Sequence, residues 1–258
     1  MTNPTPTETE NNHRKKFVLL LAALALAFVY LRNEYRKRLL GLIVLMTDST
    51  GSIPSSQLAN LRAKVLWELL QFQQALVTEM MGRQADTIQF GAALGGETSP
   101  SPETQAVAGE VLTNGALGVP FAEVSAAAMV QAANNISGMV TRSTLDKNKS
   151  LVDIDKNVST VLETITNKLS NEAFTQLAGV FTVATVTAVQ ANPEIEEMLY
   201  VLNPQSDNHC SWCASRSGNI YPKSHPVWSQ LPAHPNCYCY GLPITTRAGV
   251  ESNQELVA

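Results

Sequence analysis

Between Pro54 and Met81 apolar residues recur at spacings of three and four: Leu58, Leu61, Val65, Leu69, Phe72, Leu76 and Met80. That period places them on one face of a helix, predicted over residues 55–81. Arg62, Glu68, Gln73 and Glu79 lie opposite, as a solvated face. Further helices are predicted over 103–112, over the alanine-rich stretch 121–142, and over 151–169, where Val158, Leu162, Ile165 and Leu169 form the stripe. Residues 171–190 continue as helix, although VFTVATVTAV is β-branched and suits a strand as well. Asn192-Pro193 ends that run. Turn clusters fall at Thr47 to Ser52, Asn114-Gly115 and Gly118-Val119-Pro120, with a charged link at Asp146 to Lys149. Residues 82–102 carry Gly91, Gly95, Gly96, Pro100 and Pro102 and read as a loop.

After residue 196 the pattern shortens. Residues 198–202 suit a strand, and Ile220-Tyr221 and residues 238–243 are candidate partners. The fold class expected is mainly α with a small α+β C-terminal Cys/His metal-binding module. The chain divides into a polar and basic tail (1–16), an apolar helical segment (17–46), a helical body (53–196), the Cys/His-rich module (197–246) and a flexible polar tail (247–258). At 258 residues there is enough chain to bury a sizeable core.

The apolar segment is the least ordinary part. His13-Arg14-Lys15-Lys16 precede fifteen uncharged residues, Phe17 to Leu31, and Arg36-Lys37-Arg38 precede a second apolar run from Leu39 to Met46. A helix apolar on every side is surrounded either by protein or by lipid. Fifteen helical residues rise about 22 Å, short of a ~30 Å hydrocarbon core. Basic residues at both ends give no orientation, and AFVYLRNEYRKR offers no small-residue cleavage site for a signal peptide. Burial in an assembly, membrane insertion and a cleaved signal are the three readings this segment allows.

A net charge of −4 gives no global signature of nucleic-acid binding, and aromatics at 6% weigh against an aromatic-lined pocket. All four cysteines lie near the C-terminal end, as Cys210-x-x-Cys213 and Cys237-x-Cys239, with His209 and His234 beside them. Two close thiol pairs joined by a short loop suit one tetrahedral ion, and structural zinc is the expected cofactor. The ligands are either Cys210, Cys213, Cys237 and Cys239, or three of these with His234 or His209. His234, three residues before Cys237, either ligates or hydrogen-bonds a thiolate. Disulfides are the alternative in an oxidising compartment. Gly218-Asn219 can form a tight turn, and Pro222, Pro226, Pro232 and Pro235 prevent a continuous helix. Trp212 and Trp228 are candidates to cover the module's small core.

Asp207, Cys210, Cys213, Gly218, Tyr221, Pro222, His234, Pro235, Asn236, Cys237 and Cys239, in that order and spacing, resemble the C-terminal end of the phage Mu F-like minor head proteins, which include head morphogenesis proteins of the SPP1 type. The resemblance covers about residues 197–245. It implies a minor head protein of a tailed phage, associated with the portal vertex and acting in head morphogenesis, with DNA packaging or ejection as associated steps. It also implies a virion location, host cytoplasm during assembly, and the portal protein, other head proteins and further copies of the chain as partners, with DNA contact and membrane contact through Phe17 to Leu31 as further options. The family's Arg-Thr-Glu stretch on the preceding helix has no counterpart in FTQLAGVFTVATVTAVQ, so no role is carried over for it. The alternative from another class is a membrane-anchored binding protein that displays the zinc-held module.

The zinc deaminase pattern, the His-Glu-x-x-His of zinc proteases and the Gly-x-x-x-x-Gly-Lys phosphate loop do not occur. His234-Pro235-Asn236 echoes an HNH nuclease, without the second histidine. Asp153 with Asp155, and Glu196 with Glu197, read as solvated acids. The expectation is that the chain is not an enzyme.

Overall fold

The computed structural model describes residues 8–48, 53–145, 151–202, 209–235 and 237–244. The fold is mainly helical with a small antiparallel sheet near the C-terminus. Six long helices come first: α1 (Glu8–Met46), α2 (Leu58–Met81), α3 (Gln84–Leu94), α4 (Pro102–Asn114), α5 (Phe121–Leu145) and α6 (Leu151–Ala191). Strand β1 (Glu197–Val201), the single-turn helix α7 (Ser211–Ala214), β2 (Ile220–Pro222), a 3-10 turn (Pro226–Gln230) and β3 (Tyr240–Ile244) follow. The links Ser49 to Ser52 and Asp146 to Lys149, and the C-terminal tail from 247, lie outside the described residues.

Two compact units result. One takes Ala23–Gly82 and Phe121–Ser170; the other takes Met1–Ala22, Arg83–Pro120 and Asn171–Ala258.

In the first unit α2 packs along α5. The α2 stripe read from the sequence is the buried face: Leu61, Val65, Leu69, Phe72, Leu76 and Met80. Small residues Ala132 and Ala133 alternate with Met129, Ile136 and Val140 on the buried face of α5, which lets the backbones approach. From α1, Leu24, Phe28, Leu39, Ile43 and Met46 enter this core. Phe28 tilts against Phe121, and Tyr35 against Phe72 at 5.1 Å. Arg36 grips Asp155 with two bonds, Nε to Oδ1 at 2.8 Å and Nη2 to Oδ2 at 2.6 Å. Asp155 is therefore an ion-pair partner, not the solvated acid expected, and Glu68 lies 3.6 Å from Arg38.

Helix α1 adds two details to the sequence reading. Helix α1 begins at Glu8, so residues 8–16 of the stretch 1–16 read as tail are helical. The polar start lacks an apolar period, but it lies directly ahead of an uninterrupted helix that propagates backwards at little cost. The apolar segment is also not apolar-packed on every side. One stripe is inside and the opposite face is open: Leu19, Leu26 and Tyr30 are 67%, 72% and 66% exposed.

In the second unit α3 replaces the predicted loop. Gly91 was read as a helix breaker, whereas it is a contact residue. A Cβ there would lie 2.5 Å from the Phe181 carbonyl oxygen and 2.9 Å from Ala184 Cβ, so the glycine lets α3 and α6 touch backbone to backbone. Phe17 stacks on Phe181 at 4.4 Å, and Tyr240 meets Phe181 edge-on. Helix α4 starts on a built cap: Ser101 Oγ accepts from the Thr104 N–H, Pro102 takes the first position, and Glu97 accepts from the Ser101 N–H. Gly115 (φ 82°) ends α4 where any side chain would strike Val119. The turn is tied down by buried Gln176, whose Oε1 accepts from Ala116 N–H at 2.8 Å and whose Nε2 donates to Val119 O at 2.9 Å.

Helix α6 resolves the ambiguity of residues 171–190. The two predicted helices are one, and its C-terminal half is buried nearly all round: Leu177, Val180, Phe181, Ala184, Ala188 and Val189. Burial outweighs the helix propensity lost at Val and Thr. Thr185 removes its hydroxyl from competition by donating to Phe181 O at 2.9 Å.

Candidate metal centre

The sheet sets the frame for the site. Its order is β2-β1-β3, antiparallel throughout, with Met198 opposite both Tyr221 and Pro243. Pro243 is tolerated because β3 is an edge. Central β1 turns Met198 and Tyr200 into one small core with Val189, Ile195, Val227, Trp228, Leu231 and three cysteines. Trp228 stacks on Tyr200 and donates its Nε1–H to Pro222 O at 3.0 Å. Trp212 meets Tyr200 edge-on and is covered from outside by Arg216, 3.9 Å above its ring. Trp228 thus fills the core, while Trp212 only rims it. Lys223 donates to Val189 O and Asn192 O, satisfying carbonyls at the end of α6.

The cysteines enter from two sides. Cys210 is the N-cap of α7; its Sγ accepts from the Cys213 N–H at 3.3 Å. That turn points both thiols of the Cys-x-x-Cys the same way. Behind it Gly218 (φ 75°) closes the loop, its N–H donating to Tyr200 O. The second side is the stretch from His234 to Cys239, pinned where Cys237 N–H donates to His234 O at 3.0 Å.

Five donor atoms converge. Cys210, Cys213 and His234 form one group, and Cys213, Cys237 and Cys239 another, with ligand atoms within 4.8 Å of each other in each. Cys213 belongs to both. Its Sγ lies 3.8 Å from Cys237 Sγ and 4.0 Å from His234 Nε2. A tetrahedron with ~2.3 Å metal–sulfur and ~2.0 Å metal–nitrogen bonds has edges of about 3.8 Å and about 3.5 Å, so the donors stand near binding distance. His234 Nδ1 lies 2.7 Å from Pro235 O. A carbonyl only accepts, so Nδ1 carries the proton and Nε2 turns its lone pair towards the sulfurs. These groups can hold a metal ion. None of the four cysteines is joined in a disulfide. His209 joins neither group. Asp207 and Asn236 lie outside the described residues.

The thiols are electrostatically unlike. Burial pushes Cys213 up to about 12. A hydrogen bond from Cys239 is the main cause that draws Cys237 down to about 5. Burial raises Cys210, but the Cys213 N–H and His234 outweigh it and hold that thiol below its usual value. The Pro235 carbonyl raises His234. Crowded sulfurs of this kind cannot all ionise without a cation among them.

One contributor escaped the sequence reading. Tyr200, fully buried, donates its hydroxyl to Cys213 Sγ at 3.4 Å. Burial is the main cause holding its phenol far above the usual range, so it remains a donor. Nothing at the sequence level links a strand tyrosine to a cysteine thirteen residues later. Its alternation with Met198 shows only that both face the core.

No family model, curated protein or solved structure matches this chain.

Proposed function

We propose that this chain is a minor head protein of a tailed phage, and that its C-terminal module is held by one structural zinc ion. The observation that carries the reading is the convergence of Cys210, Cys213, His234, Cys237 and Cys239, the same residues on which the resemblance to Mu F-like head proteins rests. Other residues of that pattern have distinct work in the module. Gly218 makes the turn into β2, Tyr221 packs edge-on against Trp228, and Pro222 accepts the Trp228 indole N–H.

Zinc suits the donor set: thiolates with an imidazole, four-coordinate, with no open position required. It would draw the α7 turn and the His234-to-Cys239 stretch onto one point, fixing loops that bury little apolar surface of their own. The role is structural, and the chain acts in head assembly at the portal vertex through its helices, as one of several copies.

Quantitative mass spectrometry of DNA-filled heads and assembly intermediates from the encoding phage tests this. A small fixed copy number relative to the major capsid protein is expected. Absence from both heads and intermediates refutes the head-protein reading. Elemental analysis of the purified full chain tests the metal separately: one zinc per chain is expected, and a metal-free folded module refutes it.

A further inference from the structure

Helix α1 has two apolar faces with different fates. Leu24, Phe28, Leu39 and Ile43 point into the core. At spacings of three and four, Leu19, Ala22, Leu26 and Tyr30 form a separate stripe on the other side, exposed, with Val29 beside it. Lys15 continues this stripe towards the N-terminus and Lys37 towards the C-terminus, and both are exposed. Further along, Val44 and Leu45 add apolar surface, Leu45 at 87% exposure. Of the 18-residue apolar window in this helix only 22% is buried.

We propose that this outer stripe docks on the surface of an anionic phospholipid bilayer, with α1 lying in the plane of the interface. The proposal does not depend on the head-protein reading.

Spanning is disfavoured by the helix itself. The helix is long and apolar enough to span, but a spanning segment meets lipid along its length on every free side, whereas the inner stripe of α1 is already occupied by the core. A helix apolar on one outward face and basic at the margins is the form that sits at an interface. Tyr30, apolar in body and polar at the tip, stands at the end of the run where such rings meet headgroups.

Charge decides between lipid and a second copy of the chain. Among the described residues no carboxylate pairs with Lys15 or Lys16, while Lys37 has Glu34 at 2.9 Å. An antiparallel α1–α1 pairing centred on this stripe sets Lys15 of one copy opposite Glu34 of the other, but leaves Lys16 opposite Asn33 and Lys37 opposite Asn12. In a parallel pairing each cluster meets itself. The parallel pairing places like charges together and the antiparallel one matches a single acid to the basic margins, whereas an anionic surface attracts Lys15, Lys16 and Lys37 together.

The test is flotation of the full chain with vesicles of phosphatidylcholine plus phosphatidylglycerol and with vesicles of phosphatidylcholine alone. Binding to the anionic vesicles is expected to exceed binding to the neutral ones, and to weaken as salt rises. The double variant Leu26→Glu/Tyr30→Glu changes exposed positions only. It should keep the native circular dichroism and lose binding by at least tenfold, because two apolar anchors are replaced by charges that an anionic surface repels. Lys15→Glu/Lys16→Glu should abolish the preference for anionic lipid. Light scattering on the lipid-free chain supplies the opposing result. A dimer that the double variant dissociates makes the stripe a contact between copies and overturns the proposal. So does vesicle binding that survives the double variant, equal binding to both vesicle types, or no binding by a folded chain.

Discussion

Tyr200→Phe isolates one hydrogen bond at the metal centre. The ring is fully buried, packed between Trp212 and Trp228, and phenylalanine keeps its shape. The hydroxyl reaches Cys213 Sγ at 3.4 Å, so its removal leaves only that sulfur short of a partner. The magnitude follows from the charge on sulfur. Without metal, Cys213 is a thiol at neutral pH, since burial pushes it up to about 12, and the bond is a neutral one worth about 1 kcal/mol. With metal bound the sulfur is a thiolate, and a bond to a charged acceptor is worth about 2–3 kcal/mol. The difference, about 1–2 kcal/mol, predicts a 5- to 30-fold loss of zinc affinity, while the metal-free protein loses only about 1 kcal/mol of stability. Competition against a chromophoric chelator measures the affinity, and denaturant unfolding of the metal-free protein measures the stability. Unchanged affinity would refute the reasoning. So would a metal-free variant destabilised by as much as the bound form, since the hydroxyl would then be acting on packing and not on the thiolate.

Cys213→Ser should abolish metal retention, because Cys213 is the donor common to both groups; His234→Ala should abolish it if the imidazole ligates and weaken it about 10–100-fold if it only bonds a thiolate, which cobalt substitution and the absorption spectrum report. Gly91→Ala should lower the melting temperature by several degrees despite alanine's better helix propensity, because its Cβ meets the Phe181 carbonyl; Gly109→Ala, with nothing nearer than Gln84 Nε2 at 3.9 Å, should raise it. Asp155→Asn should cost under about 1 kcal/mol, since Arg36 and Asp155 are 38% and 34% exposed. The hydrogen bond from Arg36 holds the Asp155 carboxyl below its usual value, so that stabilisation is present at neutral pH and disappears as pH falls below about 4. Wild type and variant should therefore converge in acid, and a gap that stays constant to pH 2 would contradict the ion pair.

How far the sequence could be read varied with the signal. The stripe on α2 was legible because seven large apolar residues keep one period, and six of them, all but the half-buried Leu58, are buried. The strand order was not, since β1 pairs with segments about twenty and forty residues downstream and no local pattern encodes that choice. The stretch of α3 was misread because Gly91 means two opposite things. In isolation it loosens a helix; against Phe181 and Ala184 it permits a contact that no other residue allows. Residues 171–190 were ambiguous because Val and Thr fit a strand, and only their burial on all sides makes helix the better solution. At the site, the sequence singled out Cys210, Cys213, His234, Cys237 and Cys239, all of which meet; it could not exclude His209, which joins neither group.

The same logic explains why the apolar segment resisted reading. Composition averages over the helix circumference, and Phe17 to Leu31 is apolar whichever side is counted. The structure separates the sides: Phe17, Leu20, Leu24 and Phe28 are inside, Leu19, Leu26 and Tyr30 outside. If the inner stripe were all that selection required, the outer positions would drift towards Lys and Glu, which solvate a helix surface and keep its propensity. Two stripes on one helix suit two partners, and the described residues supply the first. The module at the other end of the chain has the complementary shortage, too little apolar surface and an excess of sulfur, which a metal ion would answer.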